Sequence, residues 1–215
     1  MIKLCIFDLD GTLIDSAPDL MASANYALKY YGQPTRTLVQ IQASMGNGLK
    51  RLLTSSILPE EYTDQLFNGV KDMYVKHYRL HCTDNTIVYD GVHDTLYAMQ
   101  QQGIMLAVVT NKPSMFLDKI LADLFRDIEF QYMIGQGEYP VKPDPSSIFA
   151  ILDKSGFGRD QCVYVGDTEV DMQTGINAGI RTVAVSWGYR SVQNLKEAGA
   201  DYIIDNIMEL MDIVI

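Results

Sequence analysis

The sequence predicts an α/β fold in which helices cover a parallel β-sheet, with a helical segment inserted near the start of the chain. Short, continuous apolar runs recur along the chain, as expected of strands that are buried on both faces of a sheet. From about residue 91 these runs alternate with helical segments, and such repeats fold as right-handed crossovers. We therefore expect a three-layer, Rossmann-like parallel-sheet core with an inserted α-helical cap domain.

The predicted sheet consists of apolar runs at Ile2–Phe7, Ile104–Thr110, Tyr132–Ile134, Cys162–Gly166, Thr182–Ser186 and Tyr202–Ile204. Residues that favour helix ends bound the helices between the later runs, namely Pro113, Asp144-Pro145 with Gly156, and Ser191 with Gly199. Ligands of such folds gather at the carboxyl ends of the strands. Polar residues that follow a strand are therefore the candidates for function.

The segment 16–82 contains no strand-like run, and its apolar residues fall at helical spacing, as at Leu66, Val70 and Tyr74. We expect it to form the cap domain, with 1–15 and 83–215 forming the catalytic core. The chain crosses between the two parts twice, and two crossings favour a hinge.

The chain has 215 residues, with 17 Lys and Arg against 27 Asp and Glu and a net charge of −10. This acidity argues against a nucleic-acid partner and against anionic membranes. The longest apolar runs, such as Ile104–Val109, are far shorter than the ~20 residues of a membrane span, and no secretion signal is recognisable. The three cysteines are widely spaced and build no disulfide framework. We expect a cytoplasmic protein, either a monomer or a homodimer.

Two aspartates follow the first predicted strand, in the sequence Asp8-Leu9-Asp10-Gly11-Thr12. Residues i and i+2 of an extended segment face the same way, so the carboxylates of Asp8 and Asp10 are expected to project together. Adjacent carboxylates repel unless a divalent cation or a shared proton relieves the repulsion, and both solutions are catalytic. Gly11 permits a sharp exit from the strand.

Two further strand ends carry groups that suit an anion. Thr110 and Asn111 end a strand at the expected start of a helix, whose free N–H groups would bind an anion. Lys142 lies in a proline-rich loop in which Pro143 and Pro145 fix the backbone and hold the ammonium group in one position.

The last candidate pair is Asp167, which ends a strand, and Asp171, about one helical turn further on. Mg²⁺ prefers oxygen ligands and is usually held by one or two carboxylates plus a substrate phosphate. Each motif alone also fits an ordinary turn or helix cap, but all four fall at strand ends on one edge of the sheet. Four motif carboxylates against one Mg²⁺ and one lysine leave about one negative charge, which a proton on Asp10 would balance.

These four motifs, in this order, resemble those of haloacid dehalogenase superfamily phosphohydrolases with a helical cap inserted after the first motif. Within the superfamily the chain is most similar to phosphoglycolate phosphatases, at Asp8–Leu20, Gly46–Gly48, Thr110–Pro113 and Trp187–Tyr189. The resemblance implies a Mg²⁺-dependent phosphatase that hydrolyses a small phosphorylated metabolite through an aspartyl-phosphate intermediate. Phosphoglycolate is the substrate it favours.

The resemblance also implies a role for each motif residue. Asp8 would be the nucleophile, and Asp10 the general acid and then the general base. Thr110 and the Asn111 amide would hold phosphate oxygens, and Lys142 would neutralise charge between nucleophile and phosphate.

The metal ligands that the resemblance implies for Mg²⁺ are the Asp8 carboxylate, the Asp10 main-chain carbonyl, Asp167 and Asp171. Gly11 and Thr12 of the first motif are expected to border the substrate.

Substrate choice is expected to come from the cap segment Met45–Leu53. Its leucines are expected to form the buried face of a helix. The helix N-terminus and the basic side chains are then available for other contacts. A small carboxylate of the substrate would bind there, on Gly46, Asn47, Gly48 and Arg51. The alternative is that the glycines only form a turn and that the basic side chains are solvated.

Other functions stay open from the sequence, namely a β-phosphoglucomutase-like phosphosugar isomerase and a pyrophosphatase or nucleotidase of the same family. Such mutases usually carry a cap histidine soon after the first motif, and residues 17–31 contain none. A dehalogenase is disfavoured because that branch lacks the second aspartate, which Asp10 provides here. The long cap and the Asp8–Asp10 spacing disfavour a noncatalytic receiver-type module.

Overall fold

The computed structural model describes all residues from 1 to 215 and contains a six-stranded parallel sheet. In chain order the strands of the protein are β1 (Leu4–Phe7), β2 (Ile14–Asp15), β3 (Ile87–Val88), β4 (Met105–Pro113), β5 (Tyr132–Gln136), β6 (Cys162–Gly166), β7 (Arg181–Val185) and β8 (Tyr202–Ile204). The order across the large sheet is β5-β4-β1-β6-β7-β8. The predicted α/β fold class is confirmed, and β1 lies in the middle of the sheet.

The first strand shows why the sheet is readable from the sequence. Leu4 and Ile6 belong to one apolar cluster, while Cys5 and Phe7 belong to another on the opposite face. Successive side chains of a strand alternate between faces, so a strand covered on both sides must be apolar at every position. All four residues are fully buried.

Ten α-helices accompany the strands. Four lie between β2 and β3: α1 (Ala17–Tyr30), α2 (Leu38–Gln42), α3 (Gly48–Ser56) and α4 (Asp64–His81). The others are α5 (Val92–Gln101), α6 (Leu117–Leu124), α7 (Ser146–Ser155), α8 (Glu169–Ala178), α9 (Val192–Glu197) and α10 (Leu210–Val214). No helix combines the length and the apolar character that a membrane crossing needs.

The helix predicted to open at Pro113 begins later. Strand β4 continues to Pro113, which pairs with Gln136 of β5, and a short 3₁₀ turn at Ser114–Phe116 precedes α6. The polar residues Thr110 and Asn111 therefore lie inside the last, irregular part of a strand.

The two chain crossings between the helical segment and the sheet form a small antiparallel ribbon, which the sequence analysis did not predict. Ile14 pairs with Val88, and Asp15 pairs with Ile87. The helices α1 to α4 pack above the sheet, and their buried residues share one continuous apolar cluster with the core, which joins Tyr74 to Phe116. In this conformation the helical segment is closed over the sheet, while its definition as a separate domain at residues 16–82 stays a prediction.

Candidate active site

Three buried carboxylates meet at the carboxyl edge of the sheet. Asp8 follows β1, Asp167 follows β6 and Asp171 lies in the first turn of α8. One oxygen from each lies within 4.8 Å of the others. Because β1 and β6 are adjacent and parallel, their carboxyl ends bring these acids together.

Lys142 is the one basic side chain that contacts this cluster. Its Nζ lies 2.9 Å from Asp8 Oδ1 and 2.6 Å from Asp171 Oδ1, and it donates a hydrogen bond of 2.9 Å to the Tyr164 hydroxyl. The lysine side chain is only 3% exposed. The approach to Asp8 Oδ1 is an ion pair without hydrogen-bond geometry, so this buried oxygen accepts no hydrogen bond.

The ionisation of the cluster is governed by its burial. Burial raises the pKa of Asp8 to about 6, against the opposing effect of Lys142. Burial, Asp171 and Asp8 raise the pKa of Asp167 well above its ordinary value. Burial alone would lower the pKa of Lys142, but the Asp171 and Asp8 carboxylates outweigh it and raise that pKa well above its ordinary value. The cluster is short of positive charge when its carboxylates are ionised.

This donor set fits a magnesium ion. It offers carboxylate oxygens only, and three carboxylates face one ammonium group. Mg²⁺ prefers such oxygen ligands, and its charge would balance the excess of carboxylates.

The supporting hydrogen bonds fix Asp167 from the first motif and from the loop after β7. Asp167 Oδ1 accepts a hydrogen bond of 3.1 Å from the Thr12 hydroxyl, and Oδ2 accepts one of 2.8 Å from the Tyr189 N–H. Gly11 has a φ of +87°, and a Cβ at this position would collide with the Asp167 carboxylate. Gly11 and Thr12, expected to border the substrate, therefore contact a candidate metal ligand and do not line the cavity described below.

Asp171 is held by its own helix start. Thr168 donates to Asp171 Oδ2 from its hydroxyl at 2.6 Å and from its N–H at 3.0 Å, in a capping box. Asp171 Oδ1 accepts from Lys142. Its oxygens are therefore engaged by the protein more fully than those of Asp167.

Asp10 lies apart from this cluster and has its own cation. Both oxygens of its carboxylate accept from Lys112 Nζ, at 2.7 and 2.9 Å, and Oδ1 also accepts from the Ser16 hydroxyl at 2.5 Å. Sequence reasoning missed both partners. Lys112 directly follows Thr110-Asn111, and its basic side chain within a strand is the signal that could have identified it.

A cavity of about 50 Å³ lies between the carboxyl edge of the sheet and the helical segment. Its polar side is formed by Asp8, Asp10, Thr110, Asn111 and Lys112. Its opposite side is largely apolar and includes Leu20, Met45, Leu49, Leu52, Tyr74, Tyr78, Pro113 and Phe116. The two predicted catalytic aspartates thus share one cavity, although their carboxylates have different partners.

Asn111 lines this cavity, but its side chain is engaged within the protein. Its Nδ2 donates to the Gly46 carbonyl at 2.9 Å and to the Lys142 carbonyl at 3.1 Å, while its Oδ1 accepts from the Lys142 N–H at 2.8 Å. Thr110 Oγ1 accepts from the Lys112 N–H at 3.2 Å. The Asn111 side chain thus positions Lys142 and links the sheet to the cap loop, the residues 43–47 between α2 and α3.

The structure brings only part of the predicted cap site to the cavity. Gly46 and Gly48 line it, whereas Asn47 and Arg51 line a separate open groove. The reason is helical geometry: α3 directs Leu49 and Leu52 toward the cavity, so Arg51 lies on another face of the helix.

Arg190 contacts the same cap loop, a role that sequence reasoning missed. Its guanidinium donates to the Met45 carbonyl at 2.8 Å and to the Gln42 carbonyl at 3.3 Å, and it pairs with Glu169 at 2.9 Å. Main-chain carbonyls as partners leave no trace in the sequence, which explains why this contact could not be predicted.

Comparison with known proteins agrees with this fold and identifies the family of the chain. The family described as Haloacid dehalogenase-like hydrolase matches residues 5–185. The chain belongs to this family of hydrolases, which confirms the predicted family and the prediction of an enzyme.

Several individual proteins of this family are similar to the chain over most of its length. The chain is 33% identical over 214 residues to a phosphoglycolate phosphatase of Pseudomonas syringae pv. tomato, covering 97% of this chain and 78% of that protein. It is 32% identical to a phosphoglycolate phosphatase of Vibrio vulnificus, covering 100% and 96% of the two chains. The crystal structure of a predicted phosphoglycolate phosphatase from Haemophilus somnus 129PT matches with a TM-score of 0.94 and 31% identity, over 100% of this chain and 98% of that chain.

Proposed function

We propose that this protein is a Mg²⁺-dependent phosphatase that hydrolyses small phosphate monoesters through a phosphorylated Asp8, with phosphoglycolate as its substrate. The observation that carries the proposal is the buried carboxylate cluster of Asp8, Asp167 and Asp171, with Lys142 against it, beside a cavity that Asp8 and Asp10 both line. The names of the relatives at 32–33% identity support the choice of phosphoglycolate.

Asp8 is the nucleophile in this proposal. One of its carboxylate oxygens bonds to phosphorus while the bond from phosphorus to the leaving oxygen breaks. Lys142 lies against Asp8 at 2.9 Å and would stabilise the negative charge that accumulates between the carboxylate and the phosphoryl oxygens. Thr110, on the polar side of the cavity, would hold a phosphoryl oxygen.

Asp10 is the proton donor and acceptor. It gives a proton to the leaving oxygen, and it then removes a proton from the water that attacks phosphorus and breaks its bond to Asp8. Ser16 and Lys112 fix the orientation of the Asp10 side chain in the cavity. Because Asp10 lines the cavity, it would exchange protons with a group that enters between the sheet and the cap.

Mg²⁺ would be held by the carboxylates of Asp8, Asp167 and Asp171 and by the main-chain carbonyl of Asp10. When bound, it supplies positive charge that neutralises the carboxylates and the transferring phosphoryl group. The protein contributes Thr12, Tyr189 and Thr168, whose hydrogen bonds keep the ligand carboxylates in place.

A leaving group in the cavity would lie between the catalytic aspartates and the apolar side chains of the helical segment. The choice of phosphoglycolate over the nucleotidase and phosphosugar alternatives rests on the names of the relatives at 32–33% identity.

The proposal is tested by ranking kcat/KM for a panel of phosphate monoesters, pyrophosphate and sugar phosphates, with Mg²⁺ and with EDTA. We expect activity only with the metal and the highest kcat/KM for phosphoglycolate. To detect the intermediate, the reaction is quenched during turnover and treated with borohydride, which reduces an aspartyl phosphate to homoserine. Mass spectrometry should find homoserine at position 8 and none in the Asp8→Asn protein. Turnover without any modification of position 8 would refute the covalent mechanism.

A further inference from the structure

Two polar groups that line the cavity, one on its polar side and one among the apolar side chains facing it, have no substrate contact in the proposed chemistry. Tyr78 of α4 and Lys112 of β4 both line the cavity, and both side chains are buried. The Lys112 Nζ lies 5.0 Å from the centre of the Tyr78 ring. They are neighbours, yet they come from the helical segment and from the sheet respectively.

The Tyr78 hydroxyl is buried and has no hydrogen-bond partner. A buried hydroxyl without a partner is costly, so such groups are normally satisfied by protein, water or ligand. Tyr78 makes ring contacts with Tyr74 and Phe116, which keep it in place whether or not the hydroxyl is bonded. The ring explains the packing of Tyr78 but leaves the hydroxyl without a function.

Lys112 is the only cation among the residues that line the cavity. Its ammonium group has three N–H donors. Two are directed to the two oxygens of Asp10, and no other side-chain acceptor is bonded to it. The third donor has no hydrogen-bond acceptor in the structure, and the ammonium group lies over the Tyr78 ring.

From these two observations we infer that Tyr78 and Lys112 form a subsite for the leaving group, and that this subsite selects phosphate monoesters whose leaving group carries an anionic oxygen, as in a carboxylate. The inference rests on the proposed phosphatase function, which it deepens by assigning the selectivity to residues other than Arg51. The surrounding cavity wall is mostly apolar, including Leu20, Leu49 and Leu52, so an anionic oxygen has no other cationic partner there.

The substitution Tyr78→Phe removes the hydroxyl oxygen and tests whether this group recognises the leaving group. Phosphoglycolate and ethyl phosphate differ only in that a carboxylate replaces a methyl group, so the ratio of their kcat/KM values measures recognition of the carboxylate. We expect Tyr78→Phe to lower this ratio by about tenfold or more, the loss typical of a hydrogen bond to a charged group. The matched control is Thr54→Val, because Thr54 of α3 also has a buried, unpartnered hydroxyl but does not line the cavity.

Lys112 is tested by binding, since it also contacts Asp10 and its loss would disturb catalysis on every substrate. Calorimetry with Mg²⁺ compares 3-phosphonopropionate with propylphosphonate, two nonhydrolysable analogues that differ in the same carboxylate. We expect the wild-type protein to prefer the carboxylate by at least about tenfold, and Lys112→Gln to remove most of that preference.

The outcomes separate this inference from the proposed function. If the wild-type protein hydrolyses phosphate esters but the Tyr78→Phe and Thr54→Val variants have the same selectivity ratio, the subsite is refuted. The proposed phosphatase function is not affected by that result. The absence of phosphatase activity on all esters would overturn the proposed function, while the binding preference of the two phosphonates would still decide the subsite. Equal binding of both phosphonates by the wild-type protein would refute it.

Discussion

Asp19 and the aspartates of the candidate metal site are all buried, but they are stabilised in opposite ways. Asp19 of α1 is 1% exposed and accepts hydrogen bonds from the main-chain N–H groups of Asn85 and Thr86 and from both of their side chains. These bonds join the entry of the helical segment to its exit. Asp19 needs no cation, because neutral donors of the protein satisfy its oxygens.

The carboxylates of Asp8, Asp167 and Asp171, in contrast, are not all satisfied by neutral donors of the protein. This cluster concentrates three carboxylates against one lysine and leaves Asp8 Oδ1 without a hydrogen bond. The comparison shows that burial of an aspartate does not by itself mark a catalytic site. What distinguishes the site is negative charge that the protein leaves uncompensated and that a bound cation or a proton must relieve.

The largest expected effect separates the chemistry from the fold. Asp8→Asn should lower kcat by about 10³-fold or more, because an amide is a poor nucleophile. The amide is nearly isosteric with the carboxylate, so circular dichroism and the thermal transition should remain those of a folded protein. Activity within tenfold of the wild type in a preparation free of other phosphatases would contradict the assigned nucleophile.

The second prediction concerns the stability of the metal-free protein against pH. The pKa of Asp8 is raised from 3.8 to about 6 by folding. A carboxyl group with a raised pKa stabilises the folded state below its unfolded pKa, and this contribution is lost as the pH rises through the folded pKa. Between pH 4 and pH 7 the wild type should therefore lose about 2.4 kcal/mol of unfolding free energy relative to Asp8→Asn.

Urea unfolding of both proteins in EDTA at several pH values measures this difference. Saturating Mg²⁺ should reduce it at pH 7, because the ion binds the ionised carboxylate and stabilises the folded wild type. A difference between the two proteins that stays constant from pH 4 to pH 7 would contradict the argument.

Replacing Asp19 should have the opposite effect to replacing Asp8: the protein should lose stability but little activity. In Asp19→Asn, an amide NH₂ replaces one acceptor and faces the donors of Asn85 and Thr86, at a cost of about 2 kcal/mol. The folded fraction should keep kcat within about twofold of the wild type, since Asp19 does not line the cavity. Mg²⁺ should not restore the lost stability beyond its effect on the wild type.

The control is Asp84→Asn, which alters an exposed carboxylate paired with His81 at 2.8 Å and should change stability by less than about 0.5 kcal/mol. If Asp19→Asn were as harmless as this control, the hydrogen bonds from Asn85 and Thr86 to Asp19 would not stabilise the fold.

A smaller effect distinguishes the two candidate ligands within the cluster. Asp167 accepts one hydrogen bond on each oxygen, whereas Thr168 and Lys142 engage both oxygens of Asp171. Asp167→Asn should therefore weaken Mg²⁺ binding by about tenfold more than Asp171→Asn, a difference of about 1.4 kcal/mol. Mg²⁺ titrations followed by calorimetry measure both affinities, and a reversed order would reverse the ligand assignment.

The sequence predicted the structure best at positions where only one kind of environment explains the residue type. Continuous apolar runs such as Leu4–Phe7 predicted the sheet, because a strand covered on both faces admits little else. The motif aspartates and Lys142 could be assigned to one edge because parallel strands end together. The sequence could not reveal contacts that use main-chain atoms, such as Arg190 on the Met45 carbonyl, or the ribbon of Ile14 and Val88. It also could not orient α3, which decides where Arg51 lies.

The smallest expected effect on activity is that of replacing Arg51, which lies at the surface and not in the cavity. Arg51 is exposed and lines the open groove beside Arg190, while the cavity is reached by Leu49 and Leu52 of the same helix. Arg51→Ala should therefore change kcat/KM for phosphoglycolate by less than about twofold, like the neighbouring control Lys50→Ala. A tenfold loss on phosphoglycolate, with ethyl phosphate and Lys50→Ala unaffected, would mean that the cap closes further during turnover and rotates α3 toward the substrate. In that case the carboxylate would bind at the N-terminal turn of α3, as the sequence had suggested, and the closed state described here would precede the reactive one.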